Sequence, residues 1–272
     1  MTDTAIAIAK KAGRRILKLQ SRTLDIDLKG KSDLVTNADK ESENLIIKEI
    51  KNAYPDHGIL AEEASVGKSI KEQRNFGNNE YIWIIDPIDG TTNYAHNQSQ
   101  YCVSIAVFRT ESKSRSKNYK YITGEMVAGV IYAPKLKELF YAEKNNGAYL
   151  NHKRIHVSDI KRLSNSLLVT GFPPTHKEIN LPYFATMINK CQAVRRFGSA
   201  ALDLAYIAAG RFDGFWEFGL KPWDIAAGAL IVKEAGGKIS DTNGNLLDLF
   251  GRDILATNGF VHNQMKKVLT SI

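Results

Sequence analysis

A chain of 272 residues with 43% hydrophobic and 24% charged residues has the ordinary balance of a globular protein with a sizeable core. No apolar run approaches the roughly 20 residues that span a bilayer, and Met1 to Lys18 mixes Lys and Arg with short apolar steps, unlike a signal peptide. The two cysteines, Cys102 and Cys191, have no metal spacing and read as reduced thiols in a cytoplasm.

Ile8, Ala12, Ile16 and Leu19 recur at spacings of four and three, so the chain opens on an amphipathic helix. A polar stretch from Ser21 to Asp33 follows, and Thr36 or Asn37 can cap a second helix reaching Ala53, with Leu45, Ile46 and Ile50 on its apolar side. The breaker Tyr54 to Gly58 feeds a short strand, Ile59 to Ala61, that ends at Glu62-Glu63. A polar loop over 65–80 leads to a strand from Tyr81 to Ile85. Cys102 to Phe108, Met126 to Tyr132 and Glu138 to Glu143 read as strands, and Gly147 to Asn151 as a short strand or turn. In the second half strands and helices alternate: Ser166 to Thr170, then a helix from Leu181 to Lys190; Ala193 to Phe197, then a helix from Ala200 to Ala209; Phe215 to Phe218, then a helix from Trp223 to Ala235. Gly236-Gly237 ends that helix. Strands at Lys238 to Ser240 and Ile254 to Thr257 and a helix from about Asn263 to Leu269 close the chain. Such alternation suggests sheets covered by helix layers.

The formal net charge of +8 is half concentrated in Arg109 to Lys120, which carries five basic residues against one acid. A solvated loop between two strands explains it most simply. A contact for nucleic acid or another acidic partner is the sharper reading, and a basic surface also suits a phosphate-bearing substrate. Neither an aromatic-rich strand nor zinc spacing accompanies the loop.

Chemistry concentrates in Trp83-Ile-Ile-Asp86-Pro-Ile-Asp89-Gly-Thr-Thr-Asn93. Two carboxylates stand three residues apart at the mouth of an apolar strand, with a proline stiffening the bend between them. Hard divalent cations take oxygen ligands and are commonly held by one or two carboxylates plus substrate phosphate. The unpaired amides that open a helix bind phosphate. Glu62 at the end of one strand and Asp224 at the start of a helix add two further acids, and four converging carboxylates need cations to offset their repulsion. Taken singly, Asp224 is a helix N-terminal acid, Asp89-Gly90 a turn and Thr91 a helix cap. Their joint presence favours a metal-dependent phosphoryl-transfer site.

Three segments in order, Ile59-Leu-Ala-Glu62-Glu63, the Trp83 to Asn93 segment and Trp223-Asp224-Ile-Ala-Ala-Gly228, resemble the inositol monophosphatase family, especially its bacterial members. The resemblance runs over nearly the whole chain, and Phe197-Gly-Ser199-Ala200 with Gly214-Phe-Trp-Glu217 looks like the family's substrate region. It implies an α+β fold, a layered α-β-α-β-α sandwich of the inositol monophosphatase and fructose-bisphosphatase type. The chain would be one domain over 1–272, with an α+β half to about 150 and an α/β half beyond.

By position, the resemblance implies that Glu62, Asp86 and the Ile88 carbonyl hold one Mg²⁺, that Asp86, Asp89 and Asp224 hold a second, and that a third, weaker ion gathers near Glu62 in some members. Gly90, Thr91 and Thr92 would meet the phosphate, together with Asp89 and Asp224 around the ester. Glu62 and Thr91 would orient the attacking water with help from Asp39. Glu217 would accept hydrogen bonds from ring hydroxyls, with Ser199 and Ala200 beside it, although Ser199 reads equally as a helix cap. Lys29 and Lys31 are both candidates for the lysine of the family's mobile metal-site loop.

The expected activity is hydrolysis of a small polyol phosphate, inositol monophosphate first. Histidinol phosphate, fructose 1,6-bisphosphate and 3′-phosphoadenosine phosphatases of the same superfamily are the rivals, and an accessory role at RNA polymerase in ribosomal-RNA transcription is the alternative from another class. The resemblance further implies a homodimer and sensitivity to lithium, while the cysteines and the lack of a spanning apolar run point to a cytoplasmic location and no membrane partner. The six histidines show no ligand spacing and read as surface or core residues.

Overall fold

Ala5, Ile8, Ala12, Ile16 and Leu19 form the buried face of α1 (Thr2–Gln20). The structure, a computed structural model, describes residues 1–21, 26–28, 34–76, 79–111, 124–173 and 175–272, with only the backbone at 26–28 and 34–35. Lys29, Lys31 and residues 112–120 of the basic segment therefore lie outside the described residues. The polar stretch contributes β1 (Ile26–Leu28), which pairs antiparallel with β2 (Leu34–Thr36). Thr36 then caps α2 (Asn37–Ala53): its hydroxyl accepts from Ala38 N, and its own amide donates to Asp39 Oδ2.

The chain continues through β3 (Gly58–Ala61), a one-turn α3 (Ile70–Gln73), β4 (Tyr81–Asp89) and a short α4 (Thr91–Ala95). Next come β5 (Cys102–Thr110), β6 (Gly124–Ala133), β7 (Glu138–Glu143), β8 (Ala148–Leu150) and β9 (Lys153–Ile155). These strands make a seven-stranded sheet in the order β3-β4-β5-β6-β7-β8-β9, with β3 and β4 parallel and every other pair antiparallel. Two expectations need correction. The sheet runs one strand further, into β9, and β4 does not stop at Ile85. It continues through Pro87 to Asp89 with a register shift between Asp86 and Asp89. A bulge tolerates a residue that lacks an amide hydrogen, so the proline marks an irregular strand end and not a turn beyond it.

The second half supplies β10 (Leu167–Thr170), α5 (Leu181–Ile188), β11 (Ala193–Arg195), α6 (Ala200–Ala208), β12 (Gly214–Phe218), α7 (Pro222–Glu234), β13 (Lys238–Ser240), β14 (Asp253–Thr257) and α8 (His262–Leu269). Its five strands are ordered β11-β10-β12-β14-β13, parallel across the first three and antiparallel at β14 and β13.

Strand periodicity sets the layers. Trp83 and Ile85 of β4 join α1 and α2 in one core, and Ile82 and Ile84 face the opposite side. There they meet α6 and α7, whose other flank packs on Val169, Phe215, Ile254 and Ala256 of the second sheet. Leu168, Trp216 and Leu255 point to a third core with Met187 of α5 and Met265 of α8. The order is helix, sheet, helix, sheet, helix, an α+β sandwich as the resemblance implies. The central core draws on both halves of the chain.

Candidate metal and phosphate site

The site forms where the ends of β3, β4 and β12 meet the first turns of α4, α6 and α7. Around the β4 bulge, Ile88 N donates to Asp86 Oδ1 at 2.9 Å, a side-chain turn that aims the Asp86 carboxylate inward. Gly90 follows in the left-handed region at φ +90°. A Cβ there would lie 2.8 Å from the Gln100 carbonyl, so glycine is required on both counts. The chain then enters α4, whose first-turn amides have no partner within the helix. Asn93 holds this corner to the second half, donating to the carbonyls of Gln100 at 2.6 Å and Phe197 at 2.7 Å.

Asp86, Asp89 and Asp224 come together here, each offering an oxygen within 4.8 Å of the others. Burial first, then the carboxylates of Glu62, Asp89 and Asp224, pushes the Asp86 carboxyl well above the usual carboxylate range. Burial and Asp89 do the same to Asp224, against the Lys221 amide, which donates to its Oδ2 at 2.7 Å. Asp89 is raised less strongly by burial, because Ser199 Oγ at 2.6 Å and Ala201 N at 2.7 Å donate to its Oδ2. Glu62, just past β3, is half-buried and close enough to Asp86 to share a hydrogen bond. The donor set is all oxygen and carries surplus negative charge in a buried place. Such a cluster fits a hard divalent cation.

Thr91 begins α4 beside the cluster. Its hydroxyl, with one hydrogen to give, lies 3.0 Å from Asp39 Oδ1 and 3.0 Å from the Ile88 carbonyl. Asp39 is buried, which raises its pKa, while hydrogen bonds from Thr36 and Thr91 oppose the shift. A cavity of about 480 Å³ opens over these groups, lined by Glu62, Asp86, Thr92, Ala200, Glu217 and Asp224 among others.

Glu217, from β12, faces this cavity with its carboxyl pushed well up by burial and by Asp224 and Asp89. Gly171, which lines the same cavity, packs against it, and a Cβ there would fall 2.2 Å from Glu217 Oε1. Ser199 lines the cavity but makes no side-chain cap bond to α6; its hydroxyl goes to Asp89 instead.

Three participants escape a reading of the sequence. Asp203 of α6 is buried with Oδ1 unpartnered, and burial, Glu217 and Asp89 push its carboxyl well up. Ser42 and Glu43 of α2 reach the backbone of the site. The available signal for Asp203 is a lone acid inside Ala-Ala-Leu-Asp-Leu-Ala, a helix apolar on every side.

The inositol monophosphatase family model matches residues 1–272. The chain is 42% identical over 264 residues to the inositol-1-monophosphatase of a Synechocystis species, covering 96% of this chain and 85% of that protein. It is 38% identical over 275 residues to the putative Nus factor SuhB of Neisseria meningitidis serogroup B, covering 99% and 97%. Among solved structures, the extragenic suppressor protein suhB of Bartonella henselae superposes with a TM-score of 0.86 at 37% identity, covering 98% and 97% of the two chains. Whole-length match, layered fold and clustered carboxylates agree, and the chain belongs to the inositol monophosphatase family.

Proposed function

We propose that this protein is a Mg²⁺-dependent phosphomonoesterase that converts a small polyol phosphate, inositol monophosphate first, to the polyol and phosphate. The observation that carries the reading is the crowding of Asp86, Asp89 and Asp224 in a cavity that Glu217 also lines. Two Mg²⁺ ions held by Glu62, Asp86, the Ile88 carbonyl, Asp89 and Asp224 would neutralise phosphoryl charge and activate the attacking water.

The chain's own groups do the rest. Amides of Gly90, Thr91 and Thr92 and the Thr92 hydroxyl receive the phosphate oxygens at the opening of α4. Thr91 gives its hydrogen to Asp39 or to the Ile88 carbonyl, which leaves an oxygen lone pair to take a hydrogen from water, and Glu62 flanks the same position. Glu217 and Asp224 accept from polyol hydroxyls, with Ser199 and Ala200 closing that end. In-line displacement needs no covalent residue.

The test is phosphate release from inositol 1-phosphate, histidinol phosphate, fructose 1,6-bisphosphate and 3′-phosphoadenosine 5′-phosphate, each with and without Mg²⁺. Inositol 1-phosphate should lead; preference for another member reassigns the substrate, and no Mg²⁺-dependent release from any of them overturns the reading. Lithium inhibition and a homodimer belong to the same proposal, checked by rate against lithium concentration and by light scattering. A cytoplasmic setting suits two free cysteines, and no helix among the described residues is long and apolar enough to cross a membrane.

The relatives that bear the name Nus factor SuhB favour a second reading, an accessory role at RNA polymerase. Binding of this chain to purified polymerase, retained by a catalytically dead Asp89→Asn variant, would support it. Absence of binding would remove it.

A further inference from the structure

One face of α2 touches three of the segments that build the site. Asp39, Ser42 and Glu43 recur at helical spacings of three and four and are all buried. Asp39 receives the Thr91 hydroxyl at the start of α4. Ser42 Oγ donates to the Pro87 carbonyl at 3.1 Å, between Asp86 and Ile88. Glu43 accepts two successive amides, Glu63 N at 2.7 Å on Oε2 and Ala64 N at 2.9 Å on Oε1.

The Glu43 contact is the most demanding. Burying a carboxylate is costly unless its oxygens are hydrogen-bonded, and here each oxygen takes one amide of the 3-10 turn Glu63–Ser65. Charge-assisted bonds of this kind are short and strong. The turn begins immediately after Glu62, whose amide donates to the Ile85 carbonyl at 3.2 Å. Ser65 Oγ closes the same turn on the Ala61 carbonyl at 2.6 Å. Glu62 is thus held from β4 before it and from α2 after it, and Asp86 is held by Ser42 through Pro87.

We propose that Glu43, seconded by Ser42, is a positioning residue that sets the cation affinity of the site by fixing the backbone on either side of Glu62 and Asp86. The inference rests on the reading above in which Glu62 and Asp86 are metal ligands. Partners behind metal ligands change affinity by about 10–100-fold when removed. Glutamine at position 43 would present one acceptor and one donor to two amide donors, so it breaks the clamp at nearly constant volume.

The experiment is Mg²⁺ binding by titration calorimetry on the full chain, with the Mg²⁺ dependence of phosphate release alongside. Glu43→Gln should weaken Mg²⁺ binding about tenfold or more, raise the Mg²⁺ needed for half-maximal rate equally, and recover kcat at saturating Mg²⁺. A merely structural residue would lower the melting temperature and leave the Mg²⁺ midpoint unmoved. Glu43→Asp keeps the charge on a shorter arm and serves if the glutamine variant does not fold; it should lose affinity too, and wild-type affinity in a folded variant at position 43 overturns the proposal. Glu62→Gln is the reference. If it binds Mg²⁺ as the wild type does, the ligand reading falls and takes this inference with it; if it loses affinity while Glu43 variants do not, only the positioning role falls.

Discussion

Ser199 donates its hydroxyl hydrogen to Asp89 Oδ2 across 2.6 Å, joining the start of α6 to the end of β4. The bond crosses between the two halves of the chain and leaves Asp89 with its other oxygen for the cluster with Asp86 and Asp224. Asp89 keeps the Ala201 amide if the hydroxyl is lost. Ser199→Ala should therefore weaken Mg²⁺ activation by about tenfold while sparing the fold, in line with loss of one outer partner of a ligand. Asp89→Asn should cost far more, on the order of 100-fold or beyond in rate at any Mg²⁺ concentration. Initial rates over a Mg²⁺ titration separate the two, and unchanged Mg²⁺-dependent turnover in Asp89→Asn would remove Asp89 from the metal site.

Glu217, proposed to meet the polyol, yields a second expectation because Gly171 packs against its carboxylate. Behind it, Asn180 is buried with its amide donating to Thr170 Oγ1 at 2.9 Å and the Gly171 carbonyl at 2.6 Å, and its oxygen accepting from Trp216 Nε1 at 2.7 Å. Those bonds lock the strand segments that carry Gly171 and Glu217. A methyl group at Gly171 would meet both carboxylate oxygens at 2.2 and 2.3 Å and force Glu217 to shift. Overpacking of this kind typically costs about 1–3 kcal/mol. Gly171→Ala should raise KM for inositol 1-phosphate about tenfold, the equivalent of about 1.4 kcal/mol, with a smaller effect on phenyl phosphate, which lacks ring hydroxyls. Equal effects on both substrates would detach Glu217 from polyol recognition.

Much of this arrangement is legible in the sequence because local rules and tertiary placement agree there. The apolar spacing of α1 matches its buried face, and the gap from Asp86 to Asp89 spans an irregular strand end where both acids turn inward. Agreement fails where tertiary context decides. Pro87 reads as a strand stop, yet the bulge absorbs it. β9 is three mostly exposed residues, Lys153–Ile155, with no apolar alternation to reveal it. Ser42 and Glu43 share a helix face with Ile46 and Ile50, where polar residues have no evident task in the sequence, and only the approach of the Pro87 and Glu63 backbone gives them work. Ser199 has the sequence of a helix cap, and the nearness of Asp89 redirects its hydroxyl.

Asp203 supplies a pH-dependent expectation. Burial, Glu217 and Asp89 hold its carboxyl well above its ordinary value of 3.8, so the folded protein prefers the proton. For an acid raised in this sense, stability is fully present below the unfolded value and is lost as pH rises through the folded one. At neutral pH the wild type bears the cost of either keeping that proton or burying a partly unpartnered carboxylate. Asp203→Asn removes the charge, and its melting temperature without divalent cations should exceed the wild type's by a few degrees at pH 7, about 2–4 °C per kcal/mol for a chain near this size. The gap should close as pH falls toward 4. A difference independent of pH would mean that shape and not charge governs this position.

His57 predicts the opposite slope. Its ring stacks on Tyr54 at 4.7 Å, lies 5.0 Å from Tyr81, and receives the Trp83 indole hydrogen on Nδ1 at 3.0 Å. An imidazolium has no free nitrogen to accept that hydrogen, and burial lowers the His57 pKa from 6.5 despite Asp56 and Glu80 nearby. A depressed histidine contributes stability above its unfolded value that is lost as pH falls through the folded one. Between pH 7 and pH 5 the wild type should therefore lose melting temperature more steeply than His57→Gln, whose amide oxygen can still accept from Trp83 without titrating. His262, held down to about 4 by burial, adds to the slope in the same sense, but it and the raised carboxyls of the site are common to both proteins and cancel in the comparison. Trp83 fluorescence, followed over the same range, should shift in the wild type and stay level in the variant. Parallel melting curves and identical fluorescence would show that the indole finds another acceptor when His57 is charged.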